Sequence, residues 1–141
     1  MIVMFSVMLG TMLPAIANPY PNQQVLNAFK KEFIAAQHVS WDKQDDFDKA
    51  TFVLAGRRVV AFFSSEGQFE GCIRDIFFDQ LPLSVMTTVD KRFGEAQILD
   101  VREITNAEGT SYRISLETKN NKYRIRVSSS GGINEIQKLK N

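Results

Sequence analysis

The sequence predicts an α+β fold of two tandem units, each a helix packed on its own roughly four-stranded antiparallel sheet. Three observations predict it. Apolar residues at helical spacing occur twice, at Val25, Leu26, Phe29 and Phe33 and, sixty residues later, at Val85, Met86, Val89 and Phe93. Each stretch is followed by short runs that alternate apolar and polar residues between turn-forming clusters. A turn motif comes back as well, Ser64-Ser65-Glu66-Gly67 as Ser128-Ser129-Ser130-Gly131.

The elements follow in order. Residues 1–13 form an uncharged apolar run, closed by Pro14 and the small-x-small tripeptide Ala15-Ile16-Ala17. That is the form of a secretory signal peptide, although no Lys or Arg precedes the run. It is short for a bilayer span, which needs about 20 apolar residues. Residues 1–17 are therefore read as a signal peptide, 18–80 as the first unit with its linker and 81–141 as the second. No membrane span is expected after cleavage, and the mature protein is expected in the periplasm or outside the cell.

In the first unit Asn22 is placed to cap the helix, and Lys30, Lys31 and Glu32 take its wet side. Val39 and Trp41 open the first strand, and Phe52 and Leu54 mark the second. Residues 59–63 form the third, and the fourth runs from Gln68 to Arg74. Residues 75–80 are read as the linker. In the second unit Ser84 is placed to cap the helix and Gly94 to end it. Leu99 with Val101, Tyr112 with Ile114, and residues 123–127 mark three strands, and residues 132–137 the last. A unit of about 60 residues buries little surface alone. Two such units would support each other by joining sheets edge to edge or by packing side by side.

Composition narrows the function. Lys and Arg number 17 against 16 Asp and Glu, a net charge of +1 that argues against a generally basic nucleic-acid binder. With 44% hydrophobic and 23% charged residues the chain reads as globular. One Cys allows no intrachain disulfide, and one His allows no multi-His metal cluster. Neither a metal nor a cofactor is expected.

Taken in this order and seen twice, the apolar and glycine positions resemble the PepSY-like, β-lactamase-inhibitor-like family of exported bacterial proteins. The carriers are Val25, Leu26, Phe29, Phe33, Val39, Trp41, Phe52, Leu54, Gly56, Ala61, Phe63 and Gly67. The second set is Leu81-Pro82, Val85, Val89, Phe93, Val101, Gly109-Thr110, Tyr112, Ile114, Tyr123, Ile125, Val127 and Gly131. The resemblance implies an exported protein similar to inhibitors that grip a secreted hydrolase with a sheet. It brings no catalytic residues, and the intrachain disulfides of such inhibitors are impossible here.

A search for chemistry finds little. His38 has Asp42 near it in sequence, but nothing else marks a triad, and no family signature surrounds His38 or Cys72 to pair them. Cys72 lies in an apolar stretch and reads as a small buried hydrophobe. The acidic run from Asp42 to Asp48 has Phe47 where a calcium loop needs glycine and Val53 where it needs glutamate, so it reads as a hairpin turn. Ser129-Ser130-Gly131-Gly132 lacks the lysine of a phosphate loop and reads as a turn.

Alternation then assigns faces. Tyr112, Ile114, Leu116, Tyr123, Ile125 and Val127 meet the second helix, leaving Arg113, Ser115, Glu117, Arg124, Arg126 and Ser128 on the reverse. Phe52, Leu54, Val59, Ala61 and Phe63 meet the first helix, leaving Thr51, Val53, Ala55, Val60 and Phe62. The reverse face is thus apolar at one end and arginine-bearing at the other. The leading expectation is a non-enzymatic module that binds a protein or peptide there, through Val53, Val60, Phe62, Arg113, Arg124 and Arg126, and in one version regulates a secreted hydrolase. Alternatively the apolar end is covered by the linker, whose Phe77 and Phe78 need a home, or by a second copy of the chain in a homodimer. A small-molecule or lipid carrier with Val60, Phe62, Phe77 and Phe78 around a cleft is the second class of function. An enzyme using His38 and Asp42 is the third.

Overall fold

Asn22 starts the first helix by a double contact. Its Oδ1 accepts from the Val25 N–H at 3.0 Å, and its Nδ2 donates to the Ser65 carbonyl at 2.7 Å. The cap and the tether to the sheet are thus one residue. The structure is a computed structural model and describes residues 20–140. The signal segment expected at 1–17 lies outside the described residues.

From Asn22 the chain forms α1 (Gln23–Glu32), β1 (Gln37–Gln44), β2 (Phe47–Leu54), β3 (Arg57–Ser64) and β4 (Phe69–Ile76). A short 3-10 turn, Phe78–Gln80, leads to α2 (Leu83–Phe93). Then follow β5 (Gln97–Asn106), β6 (Gly109–Glu117), β7 (Lys122–Ser128) and β8 (Ile133–Leu139).

The expected pair of four-stranded sheets is not what forms. Among the described residues, eight strands make one antiparallel sheet in the order β1 to β8, with two helices, so the fold is mostly β. The correction lies at the centre, where β4 pairs with β5 from Gly71 opposite Asn106 to Ile76 opposite Val101. Two separate sheets would leave four edges of unpaired N–H and C=O groups, and one continuous sheet leaves two. The linker is correspondingly shorter than expected. Asp75 and Ile76 belong to β4, and Ile76 is buried in the second core. Gly71 permits the junction: its φ is +154°, and a Cβ there would lie 2.5 Å from the Thr105 carbonyl oxygen on β5.

The registers put both helices on one face. Ala61 lies opposite Cys72, Cys72 opposite Thr105, and Thr105 opposite Thr110, so inward parity runs unbroken across the sheet. On that face Val25 and Phe29 of α1 pack on Ala50, Phe52, Val59, Ala61 and Phe63. The Phe29 ring lies 5.1 Å from both Trp41 and Phe52 in edge-on geometry. Phe52 and Phe63 are buried as expected, while Trp41, on an edge strand, is half-buried. Val85 and Val89 of α2 pack on a second cluster built on Val101, Tyr112, Ile114, Leu116, Ile125 and Val127.

One local reading is corrected, and two strand residues prove to lie at bulges. Ser84 does not cap α2, because the helix begins two residues earlier than that cap requires, at Leu83 after Pro82, whose ring sets φ near −55°. The Ser84 hydroxyl instead donates to the Ser129 carbonyl at 2.8 Å, tying α2 to the β7–β8 turn. That turn needs Gly131, whose φ is +97° and whose missing Cβ would lie 2.8 Å from the Ser84 carbonyl oxygen. Val39 and Leu99 do not point into the cores. Each falls at a register shift, between Gln37 and Ser40 or between Ile98 and Asp100, and both are exposed.

Candidate binding face

The face opposite the helices is covered by none of the described elements. Its side chains follow from the same registers. Val60 stands opposite Ile73, Ile73 opposite Ile104, and Ile104 opposite Ser111. One step along each strand pair, Asp75 faces Arg102, Arg102 faces Arg113, Arg113 faces Arg126, and Arg126 faces Glu135. Three guanidiniums thus stand in one cross-strand row, with a carboxylate at each end. A fourth, Arg124, lies opposite Ser115 in the next row.

All six residues expected to bind a partner fall on this face, but not side by side. Val53, Val60 and Phe62 lie on β2 and β3, and Arg113, Arg124 and Arg126 on β6 and β7. Three strand spacings, about 14 Å, separate β3 from β6. Ile73 of β4 and Ile104 of β5 fill that gap. Val53 and Phe62 are half-buried, and Val60 is only 7% exposed. A surface depression of about 370 Å³ is lined by Phe47, Phe62, Ile73 and Ile104 together with polar residues. A second of about 200 Å³ is lined by Ile104, Arg113, Arg124, Arg126, Glu135 and Gln137, with Ile125. Ile104 borders both. Sequence reasoning missed Arg102, Ile73 and Ile104, because faces were assigned only to strands flanking a predicted hairpin. The parity of β5, with Val101 inward, was the signal that could have found Arg102 and Ile104.

The arginines are incompletely satisfied. Arg102 pairs with Asp75 at 3.3 Å. Arg113, Arg124 and Arg126 make no ion pair among the described residues, and Glu117 does not approach them as a partner. Arg126 Nε donates to Ser111 Oγ at 3.3 Å. Arg113 Nε, Arg124 Nε and Ser115 Oγ are shut away from solvent without a hydrogen-bond partner. Burial lowers the Arg113 pKa from its ordinary value, and the Arg102, Arg124 and Arg126 charges lower it further while Asp100 opposes them. Surfaces on which like charges are held together and polar donors left unpaired are common where a ligand completes them.

The other candidates fall apart in space. His38 is exposed on edge strand β1 with φ of +54°, at a bulge rather than in a cleft. Asp42 is exposed, and its Oδ1 accepts from the Lys43 N–H. The acidic run is a β-hairpin in which Asp48, 1% exposed, pairs with Lys43 Nζ at 2.6 Å. Cys72 is half-buried against the first core. Its thiol pKa is raised by burial and by Glu103, and lowered less by Arg74. Phe77 and Phe78 do not cover the open face: the Arg57 guanidinium lies 3.5 Å above the Phe77 ring, and Phe78 packs on the second core. Val60, Phe62, Phe77 and Phe78 therefore do not surround one cleft. No helix among the described residues is long and apolar enough to cross a membrane.

No family model and no curated protein matches the chain. Solved structures do. A Bacteroides eggerthii protein, whose name proposes a periplasmic location, aligns at a TM-score of 0.77 and 21% identity, over 85% of this chain and 90% of its own. A DUF2874 family protein from Bacteroides uniformis aligns at 0.77 and 18%, over 84% and 90%. A BLIP-like protein from Bacteroides fragilis aligns at 0.77 and 19%, over 89% and 91%. At such identities the likeness is one of fold: this chain folds like these BLIP-like and DUF2874 proteins.

Proposed function

We propose that this protein is a non-enzymatic binding module of the periplasm or the extracellular space, which recognises a protein through the uncovered face of its sheet. The observation that carries this reading is the composition of that face: an apolar stripe of Phe47, Phe62, Ile73 and Ile104 running into the row Arg102, Arg113 and Arg126. Aromatic and arginine side chains dominate protein interfaces because they bury large areas and make forked hydrogen bonds. Val53, Val60, Phe62, Arg113, Arg124 and Arg126 are the proposed contact set. The name of the B. fragilis neighbour likens that protein to a β-lactamase inhibitor, which supports a secreted hydrolase as the class of partner. The name of the B. eggerthii neighbour supports the location.

The test is affinity capture from the cell envelope of the source organism, using the mature protein, Phe62→Ala, Arg124→Ala/Arg126→Ala, and Lys30→Ala/Lys31→Ala on the wet side of α1 as control. The first two variants are expected to lose a specific captured protein that the wild type and the control retain. Equal yields of the same proteins from all four would overturn the reading.

A further inference from the structure

We propose that the cavity lined by Arg113, Arg124 and Arg126 receives one carboxylate, supplied by an acidic side chain of the protein docked on the open face. The inference rests on the docking reading and names the group that anchors it.

Charge, shape and surroundings each point to a carboxylate. Three guanidiniums border a space of about 200 Å³ and none of them has an ion-pair partner among the described residues. A water's share of liquid is about 30 Å³, so the space holds a carboxylate and its methylene stem. Arg113 Nε and Arg124 Nε, on two of the side chains that line the space, lack acceptors. Buried donors without acceptors are costly unless a ligand satisfies them. The planar guanidinium fork matches the two oxygens of a carboxylate.

The local charge balance favours a monoanion. Four guanidiniums, Arg102 included, stand among three carboxylates: Asp75 paired with Arg102, Glu135 opposite Arg126, and Asp100 opposite Ser115. One positive charge is left over, which one carboxylate neutralises and a phosphate dianion would exceed. Ile104 lines both this cavity and the apolar depression beside it. The site therefore offers hydrocarbon contact next to the arginines, as a Glu or Asp side chain on a polypeptide requires and a free inorganic anion does not.

The experiment follows the arginine Nε–H resonances of the intact mature protein by NMR during titration with N-acetyl-glutamate α-amide. The neutral N-acetyl-glutamine α-amide and inorganic phosphate serve as comparison probes. The Arg113 and Arg124 signals are expected to shift saturably with the glutamate probe, not with the glutamine probe, and more weakly with phosphate. Arg124→Gln should weaken the response about tenfold or more, a loss of about 1.4 kcal/mol. Glu135→Gln should strengthen it by removing a competing charge. Arg113→Gln, with a retained amide spectrum, is a second variant expected to weaken it. The proposal is overturned by no saturable shift, by equal shifts from both amides, by tighter binding of phosphate, or by equal responses at the remote Arg58 and Arg92. The docking reading is tested separately, by capture. If the probe binds but replacing Arg113 and Arg124 leaves capture of the partner unchanged while Phe62→Ala abolishes it, docking stands and the proposal that a docked side chain fills the cavity falls. If Phe62→Ala abolishes capture while no carboxylate response is seen, docking stands and the pocket falls.

Discussion

Arg113 and Arg126 stand directly opposite each other across β6 and β7, and Arg102 stands opposite Arg113 on the other side. Like charges facing each other across strands destabilise a sheet, commonly by a few tenths to about 1 kcal/mol per pair. A row of this kind should respond to ionic strength. Raising NaCl from about 20 mM to about 300 mM shortens the Debye length to below 10 Å and screens the repulsion. The melting temperature of the wild type should rise with salt, and that of Arg113→Gln should rise less. Identical salt responses in calorimetry would show that the row carries no net repulsion.

The first core depends on Phe52, which is 1% exposed and packed edge-on against Phe29 and at a tilt against Phe33. Phe52→Ala should cost about 3–5 kcal/mol, the range for deleting a buried ring and leaving a cavity. Urea denaturation with an unchanged m-value would report it. A loss below about 1 kcal/mol would contradict the assigned face.

Continuity of the sheet depends on Gly71. A Cβ placed 2.5 Å from the Thr105 carbonyl oxygen forces β4 away from β5. Gly71→Ala should destabilise by about 2 kcal/mol or more, and amide hydrogen exchange should rise first at residues paired across this junction. Unchanged protection along β4 and β5 would refute the close approach.

Asp48, buried inside the first hairpin, pairs with half-exposed Lys43. Lys43→Met would leave that carboxylate buried without a cation. The expected cost is about 1–3 kcal/mol, below the range for fully buried pairs because Lys43 is open to water. Asp48→Leu combined with Lys43→Met should recover part of the loss, which a double-mutant cycle measures.

Cys72 should be a slow thiol. Burial raises its pKa above the ordinary 9.0, so the folded state favours the protonated form. Alkylation by iodoacetamide should lag an unfolded control at pH 8, and the lag should shrink as pH rises past the ordinary thiol range. Linkage has the same sign. Below the unfolded thiol's pKa the contribution to stability is complete, and it is lost as pH rises towards the higher folded value. Cys72→Ala should remove that part of the alkaline decline.

Periodicity of the sequence by itself determined the helices, the eight strands within a few residues, the Asn22 cap and the inward parity of Phe52, Phe63, Ile114 and Ile125. These are local matters: a 3.6- or 2-residue period states which side chains must leave water, whatever lies across from them. Ser84 does not act as the cap because α2 starts at Leu83, after Pro82, which leaves Ser84 inside the first turn with its hydroxyl donating to the Ser129 carbonyl. The bulges at Val39 and Leu99 left no mark in composition, since an extra residue in a strand shifts parity without changing residue type. Only the tertiary structure decided that β4 pairs with β5, for nothing in either strand names its partner. Backbone hydrogen bonding is nearly indifferent to side-chain identity, and the pairing is chosen by the whole sheet as it closes its inner edges. That one pairing makes two sheets into one. It places Arg102 beside Arg113, and it carries the apolar stripe through Ile73 and Ile104 to the arginines.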